Sequence, residues 1–141
     1  MNKEQVIKHL IQHEIKPSIQ RISIMKYVDN HRTHPSVDEI YNALSSTLPT
    51  LSRTTVYNVL KLLEAKRVIQ MITIDDKKVL FDANTENHAH FICKSCHKII
   101  DMDFPKAIEE KQKFTIDNNY IENTQLYYKG ICNECLKQIK N

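Results

Sequence analysis

Helical periodicity through the first 65 residues, two β-rich runs directly after it, and four cysteines confined to the region beyond residue 90 predict an α+β protein. The expected architecture is an N-terminal winged helix-turn-helix domain over 1–82 and a smaller C-terminal α/β domain over 83–141. Charge divides the same way. Residues 1–82 carry 12 Lys+Arg against 9 Asp+Glu, and residues 83–141 carry 8 against 8. All four arginines (Arg21, Arg32, Arg53, Arg67) precede the division and all four cysteines follow it. Two modules of different chemistry are therefore expected.

The first module reads as helices. Val6, Ile7, Leu10 and Ile11 recur at helical spacing over 4–14, and Pro17 with Ser18 interrupts. A second helix is predicted over 18–29 through Ile22, Ile24, Met25 and Val28. "PSVDEIYNAL" opens a third, where Ser36 and Glu39 match a capping box. "LPTLS" breaks the chain again, and Ser52 is placed to cap a fourth helix, "RTTVYNVLKLLEA". "RVIQMITI" and "KKVLFDA" then form an expected hairpin turning at Asp75-Asp76. In the second module "HAHFIC" and "KIIDMDF" are predicted strands, "KAIEEKQKF" a helix and "YIENTQLYYKGI" a further strand. Beyond metal binding, the expected role of this module is dimerisation.

At 141 residues with 41% hydrophobic content the chain can bury a core. A single glycine, Gly130, and four prolines argue against a disordered chain. The start, "MNKEQVIKHL", lacks the apolar run of a signal peptide, and no stretch approaches the roughly 18 to 20 apolar residues of a membrane span. A cytoplasmic protein without a membrane partner is expected. Thiols stay reduced there, so paired cysteines point to metal before disulfide.

Cys93-x2-Cys96 and Cys132-x2-Cys135, 35 residues apart, can supply four thiolates to one tetrahedral zinc. Four sulfurs fill the coordination sphere, which makes such a site structural. A redox pair, two disulfides or buried unligated thiols are the other readings, and two matched pairs argue against each. His88 and His90 are two residues apart, so on a strand they share a face, while Cys93 has the opposite parity. His97 lies in the turn with no evident partner. Asp82 and Asp101 flank the stretch, and His34 precedes Pro35 at a helix entrance; spacing alone does not join these five into a site.

The predicted fourth helix presents Ser52, Arg53, Thr54, Thr55, Tyr57, Asn58 and Lys61 opposite a buried face of Val56, Val59, Leu60 and Leu63. Arginine can bridge guanine O6 and N7, and Thr or Asn can meet bases or phosphates. A solvated helix face is the alternative. Lys66, Arg67, Lys77 and Lys78 are candidate phosphate contacts near the hairpin.

Taken together, "QR" at 20–21, "THPSVDEIYNAL", "TTVYNVLKLLE", "FD" at 81–82, "HAHFICKSCHKIIDM" and "KGICNEC" resemble the ferric uptake regulator family of metal-dependent repressors over nearly the whole chain. The match is closest to its peroxide-sensing branch. The resemblance implies one structural zinc per subunit on the four cysteines. It also implies one regulatory Fe²⁺ or Mn²⁺ per subunit on His34, Asp82, His88, His90 and Asp101, a donor set suited to those ions. Further, it implies a homodimer on a palindromic double-stranded DNA operator and peroxide-dependent oxidation of His34 or His88; the expected DNA contacts are Arg21, Arg53, Thr54, Thr55, Tyr57, Asn58 and Lys61. Aspartate at 101, where iron- and zinc-responsive relatives typically carry glutamate, favours the peroxide sensors. A regulator of iron or other metal uptake, without peroxide sensing, is the alternative of the same fold.

Departures from the family pattern matter too. The His-His-Asp-His run of a further metal site is Asn87-His88-Ala89-His90 here, and Thr124 replaces its later histidine. Ser18-Ile19 stands where Thr-Pro is common. Arg67 replaces a glycine at the end of the fourth helix, which calls for φ > 0 or a different turn. Arg53 replaces a small or apolar residue, so operator preference does not transfer. Catalysis and a small organic substrate are not expected. A zinc deaminase needs His-x-Glu and Pro-Cys-x-x-Cys, whereas His90 follows His88-Ala89 and no proline precedes Cys93. A zinc ribbon serving only as scaffold would leave the aspartates and the helical half without a role.

Overall fold

The computed structural model describes residues 1–75, 78–86, 88–106, 114–122 and 124–140. The predicted turn at Asp76, the candidate contact Lys77 and nearly all of the predicted "KAIEEKQKF" helix lie outside the described residues. The chain divides into two compact units, Met1–Thr85 and Glu86–Asn141.

Four helices and a hairpin build the first unit: α1 (Lys3–Gln12), α2 (Ile19–Asn30), α3 (Val37–Leu44), α4 (Arg53–Ala65), β1 (Gln70–Asp75) and β2 (Lys78–Asp82). Each helix starts on a side-chain cap that satisfies an otherwise orphaned N–H. Ser18, Ser36 and Ser52 accept from the backbone of Arg21, Glu39 and Thr55 at 3.2, 3.2 and 3.1 Å. A reciprocal capping box forms at α1, from Asn2 and Gln5.

The core is a continuous cluster from all four helices and the hairpin, with Val6, Leu10, Ile24, Val28, Ile40, Val56, Leu60, Leu63 and Phe81 sealed from solvent. All four predicted buried positions of α4 are in it. On α1 the apolar stripe is narrower than expected: Val6 and Leu10 are buried, while Ile11 is 59% exposed. β1 and β2 pair antiparallel. Ser36 bridges Leu80, and the Phe81 N–H donates to the Pro35 carbonyl at 3.0 Å, which ties the entrance of α3 to β2.

The second unit holds β3 (Ala89–Cys93), β4 (Ile99–Met102), β5 (Phe114–Ile116), β6 (Asn119–Ile121), β7 (Tyr127–Gly130) and α5 (Asn133–Lys140). β3 is the centre of a three-stranded sheet in the order β4-β3-β7, antiparallel to β4 and parallel to β7. β5 and β6 form a separate hairpin whose two loop residues, Asp117 and Asn118, have φ of 50° and 65°. Two left-handed residues match the right-handed strand twist, and Asp and Asn tolerate them. The single strand predicted over "YIENTQLYYKGI" is therefore two, β6 and β7, in different sheets. The polar run between them, Glu122 to Gln125, separates the two runs of aromatic and β-branched residues.

Candidate metal centres and nucleic-acid interface

The four cysteines converge within the second unit. Cys93 ends β3, Cys96 lies in the following turn, Cys132 follows β7 and Cys135 is in α5. Their sulfurs lie within 4.8 Å of one another, and none is in a disulfide. A tetrahedron of sulfurs about 2.3 Å from a central zinc has edges of about 3.8 Å. Cys96 Sγ and Cys132 Sγ are 3.8 Å apart, so the tetrad fits the ion.

Backbone geometry prepares the site. The N–H groups of Cys96 and Cys132 donate to Cys93 Sγ at 3.5 and 3.3 Å. These donors, Cys96 first, hold the Cys93 thiol down to about 6. The Cys135 thiol is pushed up to about 12, mainly by its interaction with Cys132. The knuckle closes where the His97 N–H meets the Cys93 carbonyl at 2.9 Å, with His97 at φ 64°. His97 is thus a left-handed turn residue, which accounts for its place in the cysteine turn.

Five residues expected at a regulatory centre fall into two groups, one in each unit. In the first unit, His34 Nε2 is 3.4 Å from Asp82 Oδ2, and both side chains are buried. Asp82 Oδ1 accepts from the Asn84 N–H at 2.9 Å, which orients the carboxylate. His34 has φ 61° immediately before Pro35. That is a costly backbone for a non-glycine residue and for a residue preceding proline, and the Pro35–Phe81 and Ser36–Leu80 pairings hold it. In the second unit, His90 is the cross-strand partner of Asp101. His88 Nε2 and His90 Nε2 each lie 3.5 Å from Asp101 Oδ1. The two rings meet edge-to-face at 4.3 Å, and the Glu86 carbonyl, 2.7 Å from His88 Nδ1, fixes that ring. Two ligand atoms each about 2.1 Å from a shared cation sit about 3.0–3.4 Å apart. The observed separations of 3.4 and 3.5 Å, longer than a tight hydrogen bond, fit such donors.

On α4, Arg53, Thr54, Tyr57 and Asn58 are exposed, while Thr55 and Lys61 are half-buried. A cleft of about 440 Å³ beside the start of α2 is lined by residues that include Lys16, Ser18, Arg21, Thr55 and Asn58. Arg21 Nη1 donates to the Lys16 carbonyl at 2.9 Å. Arg53 is engaged by α3: its Nε donates to Asp38 Oδ1 at 2.9 Å, and its guanidinium lies 4.3 Å over the Tyr41 ring. Sequence reasoning missed Asp38 and Tyr41. An acid and an aromatic three residues apart on the helix preceding α4 were the available signal.

The ferric uptake regulator family profile matches residues 12–129. The chain belongs to the ferric uptake regulator family. Members of this family are dimeric, DNA-binding, metal-dependent transcription regulators rather than enzymes. A peroxide-responsive repressor, PerR, of Staphylococcus aureus is 37% identical over 134 residues, covering 94% of this chain and 90% of that protein. The ferric uptake regulator of Francisella tularensis, solved with iron, superposes with a TM-score of 0.67 at 26% identity, covering 86% of this chain and 95% of the other. The PerR structure from Streptococcus pyogenes, described for peroxide sensing and gene regulation, gives a TM-score of 0.53 at 29% identity over 94% and 92%. Arg67, expected at a turn that calls for φ > 0, adopts the left-handed conformation at φ 61°.

Proposed function

We propose that the chain is a cytoplasmic, peroxide-responsive, metal-dependent transcriptional repressor that acts as a homodimer on a palindromic operator. The observation that carries this reading is Asp101. It faces His88 and His90 in a chain 37% identical to a peroxide-responsive repressor. Cys93, Cys96, Cys132 and Cys135 would hold one zinc per subunit and staple α5 to the β3 turn. His34, Asp82, His88, His90 and Asp101 would hold one Fe²⁺ or Mn²⁺.

The proposed nitrogen and carboxylate donors come from both predicted domains, 1–82 and 83–141. Ligands shared in this way restrain the two parts, and in a dimer that sets the separation of the two α4 helices. Only one separation fits two half-sites. A bound Fe²⁺ supplies redox chemistry toward peroxide that Mn²⁺ does not. His34 and His88 are the groups that record it. An imidazole ring takes one oxygen atom from peroxide, the other leaves as water, and the altered ring is a poorer ligand, so the restraint and the DNA are released.

The test uses zinc-loaded full-length protein with added Fe²⁺ or Mn²⁺, before and after low-dose peroxide. DNA binding should require either ion. Peroxide should abolish it with iron alone, and His34 or His88 should gain one oxygen by mass spectrometry. Thiol oxidation with zinc loss and unmodified histidines would refute the route. The likeness to the Francisella protein, with the higher TM-score of 0.67 against 0.53, favours one other reading, a metal-uptake regulator. Metal-dependent binding indifferent to peroxide would establish that one instead.

A further inference from the structure

Arg53 is the first residue of α4. Its Nε is bound to Asp38 at 2.9 Å and its guanidinium lies 4.3 Å over Tyr41. Asp38 and Tyr41 share one face of α3, three residues apart. The arginine is thus clamped in two ways. The carboxylate engages Nε, and the ring holds the guanidinium carbon over its face. Yet the Arg53 and Asp38 side chains are 58% and 74% exposed. An ion pair so exposed contributes little to stability, so fold maintenance does not account for the clamp.

What the clamp does is orient a donor. Asp38 engages Nε, and the end-on edge of the guanidinium, Nη1 with Nη2, lies on another side of the planar group. That edge carries two parallel N–H donors spaced for two acceptors on one partner. Among base edges in the major groove, guanine alone presents two acceptors, O6 and N7. A phosphate would also accept the fork, but the exposed Asp38 carboxylate beside it repels a phosphate and leaves a neutral base edge unopposed. N-terminal residues of a reading helix are the ones that reach base edges.

We propose that Arg53 is a specificity-determining residue that reads a guanine in each operator half-site, with Asp38 and Tyr41 as its positioning residues. The proposal rests on the DNA-binding function proposed above.

The experiment selects binding sites from a randomised double-stranded DNA library with full-length, Mn²⁺-loaded protein. Wild type should enrich guanine at one position of each half-site. Arg53→Ala should lose that preference, by about 5- to 100-fold against the substituted site, while other positions keep theirs. Arg53→Lys keeps the charge without the fork and should not restore it. Asp38→Asn and Tyr41→Ala should weaken the preference at that same position. Circular dichroism of each variant checks the fold. Uniform loss of affinity across the library would make Arg53 a phosphate contact and overturn the proposal. An unchanged preference in Arg53→Ala would make it a strap between α3 and α4 and overturn it equally. If wild type shows no metal-dependent sequence preference, the repressor function fails with it. If wild type selects and Arg53→Ala selects identically, only the Arg53 assignment fails.

Discussion

At the Cys93 sulfur, two backbone N–H groups converge at 3.3 and 3.5 Å and hold the thiol down to about 6. Cys93 is therefore the thiolate on which the tetrad can assemble. Zinc bound by the four cysteines would displace the remaining thiol protons and couple binding to folding. Cys93→Ser should abolish stoichiometric zinc, read by metal analysis, and melt the second unit, read by near-UV circular dichroism. Retained zinc with an unchanged transition would remove the structural assignment. Asp101 is the carboxylate shared by His88 and His90. Asp101→Asn should weaken Mn²⁺ binding by roughly 10-fold or more, since even outer-shell partners of metal ligands contribute 10- to 100-fold; titration calorimetry measures it. Cysteine pairing was legible from spacing alone. The left-handed φ of 61° at His34 was not, because it depends on the Pro35 and Ser36 pairings to β2.

Helices α1 and α4 end in the same way. Ile15 and Val68 N–H groups reach back to the Leu10 and Leu63 carbonyls at 2.9 Å, with Glu14 and Arg67 N–H groups on Ile11 and Glu64 at 3.0 and 2.9 Å. This is the Schellman pattern, and it places Glu14 and Arg67 at φ 60° and 61°. A side chain costs about 1–2 kcal/mol there. Glu14 makes an exposed ion pair with Lys66 at 3.7 Å, and losing it in a Glu14→Gly variant offsets little. Glu14→Gly and Arg67→Gly should each raise stability by about 1 kcal/mol, seen as higher denaturant midpoints. A lowered midpoint in both would show that the side chains hold these turns. The helix starts were legible because Ser18, Ser36 and Ser52 are strong local signals. The membership of β6 and β7 in different sheets was not legible, since a run of aromatic and β-branched residues does not declare which sheet it joins.

Across the whole molecule, metal and DNA binding are proposed to be linked through ligands contributed by both units. Such linkage is reciprocal. Operator DNA should therefore tighten Mn²⁺ binding by the same factor by which Mn²⁺ tightens DNA binding, on the order of 5- to 150-fold. Unequal factors, measured on the same dimer, would break the scheme. By itself the sequence determined the helix order and the four-cysteine set, because caps, periodicity and Cys-x2-Cys spacing act over a few residues, while the candidate regulatory ligands were named only through the family resemblance. Only the tertiary structure decided which donors meet: Asp101 faces His88 and His90 through the β3–β4 register, and Arg53 turns from a helix-face charge into a group clamped by Asp38 and Tyr41. Those pairings join residues distant along the chain, so they depend on strand register and helix packing rather than on local sequence.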